Sequence, residues 1–256
     1  MKNHALAALS LIIAAPAFAH NGEDHSSHAK PAAPMVAALA DLARPETQRA
    51  QDAKRHPEKL IAFAHIAPGQ TVVDYVMGGG YWSHIIAGVV GPTGKVYGFQ
   101  PTEFVAYRAA YGTEQDDVAK ARANVMPVRS PFAAPAIPGQ VDAVITVQNY
   151  HDLYLKPFPA DTGPKARAAL FAMLKPGGTL VIVDHTAKAG SDIGSADSLH
   201  RIDPAIVRKE LEASGFVFDG ELDSWRNAAD PMTANVFDPA IRGKTDQFAY
   251  RFKKPK

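Results

Sequence analysis

Apolar and polar residues fall along this chain in alternating blocks. Residues 71–76 (Thr-Val-Val-Asp-Tyr-Val) form a β-branched run, long enough for a strand buried on both faces. Residues 95–99, 125–128, 141–147 and 179–184 repeat that pattern, and the last two are the most continuous. Between them lie stretches with helical periodicity: 45–64, 81–90, 104–123 with an interruption at Gly112, 165–174, and 204–214 closed by Gly215. Pro68-Gly69, Gly91-Pro92 and Lys175-Pro176-Gly177-Gly178 punctuate the blocks as turns. Residues 216–222 and 247–252 read as two last strands, antiparallel, with an irregular segment between them. Strand–helix alternation predicts an α/β fold: a doubly wound, mostly parallel seven-stranded sheet with an antiparallel C-terminal strand. There is no internal repeat, so residues 45–256 read as one domain.

The amino end follows a different rule. Lys2, an apolar run over 5–15 and Ala17-Phe18-Ala19 have the three parts of a secretory signal, with cleavage after residue 19. That run is too short to span a bilayer, so no membrane span is expected in the mature chain. The expected location is outside the cytosol, in the periplasm. Residues 20–44 read as a polar leader holding His20, His25 and His28. A histidine beside a free α-amine is a chelate for Cu²⁺ or Ni²⁺, so these three are candidate metal ligands; a plain polar tether is the alternative.

Composition narrows the chemistry. The chain has 256 residues, 46% hydrophobic, and no cysteine, which excludes disulfides, zinc fingers, iron–sulfur clusters and thiol nucleophiles. Basic and acidic residues number 27 and 26, and loss of a leader containing only Lys2 makes them equal. That balance excludes a nucleic-acid binder that works by neutralising phosphates. The expected partner is a small molecule, and the oligomeric state stays open.

The strand ends carry the candidate site. Gly78-Gly79-Gly80 directly follows the first strand and opens a helix, where glycines let backbone approach a ligand closely. Asp74, at the end of that strand, is placed to accept hydrogen bonds from a cofactor. Twenty residues beyond Gly80, at the end of the second strand, stands Gln100 at the ribose-binding position. Strand four runs into Gln148-Asn149-Tyr150-His151-Asp152 and strand five into Asp184-His185. These neighbour strand one in such a sheet, so His151, Asp152, Asp184 and His185 are candidate catalytic residues. Either histidine is a candidate base, with Asp152 or Asp184 fixing its tautomer. Asn149 joins the cofactor side. Tyr81, His200, Arg201 and Arg226 are candidates to hold substrate, and Arg226 and Asp230 either fold over the mouth or pair on the surface. The same histidines and carboxylates are metal-ligand types, but no tight His-x-x-x-His spacing groups them. Gly243-Lys244-Thr245 is not a phosphate loop, because Asp238 stands where its first glycine belongs. No Gly-x-Ser-x-Gly elbow points to a hydrolase.

Asp74-Tyr75-Val76-Met77-Gly78-Gly79-Gly80 resembles the first motif of class I S-adenosylmethionine-dependent methyltransferases, acid-x-Gly-x-Gly-x-Gly. Lys175-Pro176-Gly177-Gly178 before strand five is also typical of that family. Arg55-His56-Pro57-Glu58, Gly78-Gly79-Gly80-Tyr81-Trp82, Asn149-Tyr150-His151-Asp152, Asp184-His185, His200-Arg201-Ile202-Asp203 and Arg242-Gly243-Lys244-Thr245-Asp246 resemble stretches of an exported bacterial methyltransferase-like group. The resemblance covers about residues 45–254 and implies a Rossmann-like methyltransferase fold, S-adenosylmethionine as cofactor and methyl transfer to a small acceptor. Three positions depart from the family: Val76 replaces its first glycine, Gln100 replaces its ribose carboxylate with Glu103 as a nearby substitute, and Arg129-Ser130-Pro131 lacks the acid often placed near the adenine. A binding protein on the same fold, for a metal or small metabolite, is the alternative.

Overall fold

The computed structural model describes residues 32–256, so the signal-like segment and His20, His25 and His28 lie outside the described residues. Four helices lead in: α1 (Ala33–Ala40), α2 (Glu46–Arg49), α3 (Asp52–Arg55) and α4 (Pro57–Phe63). Then β1 (Thr71–Tyr75) and α5 (Tyr81–Val90) are followed by β2 (Lys95–Pro101), α6 (Thr102–Tyr107), α7 (Ala110–Ala121) and β3 (Val125–Ser130). β4 (Val141–Val147) runs into a 3₁₀ turn at His151–Tyr154, then α8 (Thr162–Met173), β5 (Leu174–His185), α9 (Gly194–Leu199) and α10 (Pro204–Ala213). β6 (Val217–Glu221) and β7 (Gln247–Lys253) close the chain.

The seven strands lie in the order β3-β2-β1-β4-β5-β7-β6. β7 runs antiparallel to both its neighbours, and every other pairing is parallel. The sheet is therefore doubly wound, with its switch point between β1 and β4. Alternation along each strand divides the core in two. Val72, Ile145, Val181 and Val183 face α1, α4 and α5, while Val73, Val144, Leu180 and Ile182 face α8 and α10 with an aromatic cluster. No helix among the described residues is long and apolar enough to cross a membrane.

Three local differences from the sequence pattern have physical causes. The 45–64 helix breaks at Ala50–Gln51 and again at His56, which takes a left-handed φ of 43°, where Pro57 disfavours a right-handed helical residue before it. The 104–123 break falls at Arg108 and not at Gly112, which sits inside α7. A Cβ there would come 3.2 Å from Val105, and Arg129 donates to the Gly112 carbonyl, so the residue is small for packing. The folded body also starts earlier than residue 45. α1 buries Met35 and Ala38, and Ala38 lies so close to Gly88 of α5 that a Cβ on that glycine would come within 2.7 Å. Arg44 is fully buried and pairs bidentately with Asp52 at 2.8 and 2.6 Å.

Candidate active site at the carboxyl ends of the strands

The bend after β1 follows a glycine path even where the side chain is not glycine. Val76, Gly78 and Gly80 have φ of 66°, 52° and 78°. A β-branched residue at left-handed φ costs about 1–2 kcal/mol, so surrounding packing holds Val76 there. Its side chain is buried with Tyr75, Phe99 and Phe132. Met77 fills the space beneath the bend: a Cβ on Gly98 would come 2.6 Å from its Sδ, and one on Gly80 3.3 Å from its Cε. Gly80 is also closed by Val118, whose Cγ2 would lie 2.3 Å from an added Cβ. Gly78 differs, since a Cβ built there meets nothing within 4 Å.

Protein groups hold this bend from several sides. The Gly78 amide donates to Gln100 Oε1 at 3.0 Å, and Gln48 Nε2 donates to the Gly79 carbonyl at 2.8 Å. Gln100 is fully buried, yet its Nε2 has no protein acceptor. Asp74 lies underneath, accepting from Ser83 Oγ at 2.6 Å. Burial pushes its carboxyl up to about 6, opposed by the Ser83 hydrogen bonds and the Arg55 charge. Asp74 thus orders the bend and the start of α5, and its side chain is not exposed to a ligand. Glu103, the expected substitute for a ribose carboxylate, accepts from the Phe132 amide with its two oxygens at 3.1 and 3.0 Å.

Across the switch point the predicted histidines and carboxylates do come together. Asp184, with no exposed side-chain surface, accepts from the amides of His151 and His185 at 2.8 and 2.7 Å and lies 2.7 Å from His151 Nδ1. It ties the end of β5 to the turn after β4. His151 Nε2 in turn lies 3.2 Å from Asp152 Oδ1 and 3.3 Å from His200 Nδ1. Asn149 Nδ2 donates to Asp152 Oδ2 at 3.0 Å, so Asn149 serves this cluster. Burial works against a charge on His151, but Asp184 and Asp152 outweigh it and hold its pKa up at about 9. Burial dominates at His185 and lowers it to about 4, and His200 is lowered by burial and by the His151 charge. The two histidines expected to be interchangeable as bases therefore differ: the carboxylates beside His151 favour a charge on it, whereas burial disfavours one on His185, whose Nδ1 lies 2.8 Å from Thr245 Oγ1.

Other expected site residues are committed elsewhere. Arg201 is fully buried and donates to both oxygens of Asp230 (2.8 and 3.1 Å) and to the carbonyls of Thr186 and Ala234. It anchors the irregular segment over the strand ends and has no donor group at the surface for substrate. Arg226 and Asp230 do not pair with each other: Arg226 meets Asp246 at 3.2 Å. The Tyr81 hydroxyl donates to Asp52 at 2.8 Å, with Arg55 above its ring, and Trp82 is buried beside it with no acceptor for its indole N–H. Sequence reasoning missed Gln48, Ser83 and Thr245. They are ordinary polar residues whose roles depend on partners brought near by the fold.

A scan against protein-family models and a search of curated proteins found no match. Solved structures do match. A SAM-dependent methyltransferase from Aquifex aeolicus is 19% identical, with 80% of this chain and 93% of that one covered at a TM-score of 0.55. A TehB-like SAM-dependent methyltransferase from Corynebacterium glutamicum is 14% identical, covering 81% and 95%, TM-score 0.53. The [4+2]-cyclase SpnF is 16% identical, covering 87% and 92%, TM-score 0.57. The chain has the Rossmann-like fold of these methyltransferases, and the cyclase among them shows that the fold alone does not fix the reaction.

Proposed function

We propose that this chain transfers a methyl group from S-adenosylmethionine to a small acceptor, and does so as an exported, periplasmic protein. One observation carries the reading: at the switch point, the open space over Gly78 adjoins a buried Gln100 whose Nε2 lacks an acceptor. A buried donor without a partner costs about 1–3 kcal/mol, and a ribose hydroxyl oxygen would relieve that cost. Gly78, Gly79 and Gln100 would hold the cofactor, and Asp74 keeps the bend in shape from below. S-adenosylmethionine, when bound, supplies a methyl carbon made electrophilic by its sulfonium. Methyl transfer asks the protein mainly to align the reacting groups. Asp184 fixes His151 at the mouth, and His185, whose protonation burial disfavours, stands beside it as a neutral imidazole. Export rests on the signal-like first 19 residues.

A second reading, a binding protein that no longer holds the cofactor, is favoured by the adenine side. Phe104, Phe132 and Phe158 pack together there, and the Phe132 amide is already taken by Glu103. Thermal melting with S-adenosylmethionine and its demethylated product separates the two. Ligand at 100 times its Kd should stabilise the protein by about 2.7 kcal/mol. No shift at millimolar ligand rules out the transferase.

A further inference from the structure

We propose that His151 Nε2, His200 Nδ1 and Asp152 Oδ1 form a divalent transition-metal site at the mouth of the strands. Among the described residues, this is where three such side chains bring one donor atom each within 4.8 Å of one another. The spacing suits a metal. Donors about 2.0–2.1 Å from a tetrahedral ion stand roughly 3.3 Å apart; here His151 lies 3.2 Å from Asp152 and 3.3 Å from His200.

The surroundings fix which atoms face inward. Asp184 Oδ1 accepts from His151 Nδ1 at 2.7 Å, which directs Nε2 into the cluster, where a bound metal would take the place of its proton. A carboxylate behind a ligating histidine is the usual outer shell of such a site. Asn149 occupies Asp152 Oδ2, leaving Oδ1 to the cluster. His200 takes a left-handed φ of 51° at the end of α9, and its ring is held edge-on against Phe237 at 4.9 Å. Next to it, the buried Arg201 fixes the backbone. Two imidazoles and a carboxylate, with no thiolate, select a first-row divalent ion such as Zn²⁺, and three protein ligands leave a position open. That position would take a hydroxyl or carboxylate oxygen of a small acceptor. The acceptor's part rests on the methyl-transfer reading; the metal site does not.

The test uses the full-length protein, stripped with chelator and titrated with Zn²⁺ alone by calorimetry. His20, His25 and His28 are replaced by Ala so that the leader cannot bind. One equivalent should bind at micromolar affinity or tighter. His200→Ala and Asp152→Asn should each weaken binding about 100-fold, and the positioning variant Asp184→Asn about 10–100-fold. Should these variants fail to fold, imidazole ¹⁵N signals of the leader variant give a second readout, in which His151 and His200 shift with Zn²⁺ and His185 does not. No binding tighter than about 10 µM, or binding indifferent to both ligand substitutions, overturns the site. Because no cofactor is present, failure to bind S-adenosylmethionine leaves this result untouched.

Discussion

Replacing Asp230 with Ala isolates the buried ion pair that pins the irregular segment over the site. Arg201 and Asp230 have no exposed side-chain surface, and Asp230 also accepts from the amides of Met232 and Asp246. Removing one member leaves a guanidinium charge buried beside two carbonyls that cannot neutralise it. Breaking such a pair from one side costs about 3–5 kcal/mol. For a chain of this size, each kcal/mol moves Tm by roughly 2–4 °C, so Asp230→Ala should melt about 6–20 °C below wild type. Lys165, 62% exposed and paired with the 58% exposed Asp161, gives the control. A pair exposed on both sides is worth about 0–1 kcal/mol, so Lys165→Ala should melt within a few degrees of wild type. Chemical denaturation of all three proteins at neutral pH measures the differences. A loss below about 1 kcal/mol for Asp230→Ala, or equal losses for the two variants, refutes the argument that this pair and its carbonyl partners form a sealed anchor.

Three further outcomes follow from the bend and its supports. Gly78→Ala carries only the strain of its positive φ, so it should cost about 1–2 kcal/mol of stability and yet weaken S-adenosylmethionine binding more than tenfold by calorimetry; Gly80→Ala also strikes Val118, and Val118→Ala should recover part of its larger stability loss. Gln100→Leu orphans the Gly78 amide but also removes the unpaired Nε2, two effects of about 1–3 kcal/mol that offset, so denaturation should show a change within about 1 kcal/mol while cofactor binding weakens. Asp74 titrates near 6 when folded and near 3.8 when unfolded, so its contribution is full below pH 3.8 and is lost as pH rises through 6. The stability of wild type relative to Asp74→Asn should therefore fall on the order of 3 kcal/mol between pH 4 and 8; a flat difference would refute the buried carboxyl.

The strands were legible because parallel strands buried on both faces must be continuously apolar, as 141–147 and 179–184 are. Strand–helix alternation gave the doubly wound sheet but not the strand order: only β4 adjoins β1, and β5 lies beyond it, where the β4–β5 pairing brings His151 and Asp152 beside Asp184 and His185. Side-chain commitments were not legible. Whether Arg201 meets solvent or Asp230 is decided 29 residues downstream. The convergence of His200 on His151 depends on one left-handed residue that no periodicity signals. α1 was hidden for another reason: its alanines and flanking prolines look like tether, and only their fit against Gly88 makes them core.

Arg44, Asp52, Tyr81 and Gln48 link the lead-in helices to the glycine bend. The bend after β1 is thus held in part by side chains that precede the sheet in the chain, so a change in the lead-in helices reaches the Gly79 carbonyl through Gln48 without touching a strand.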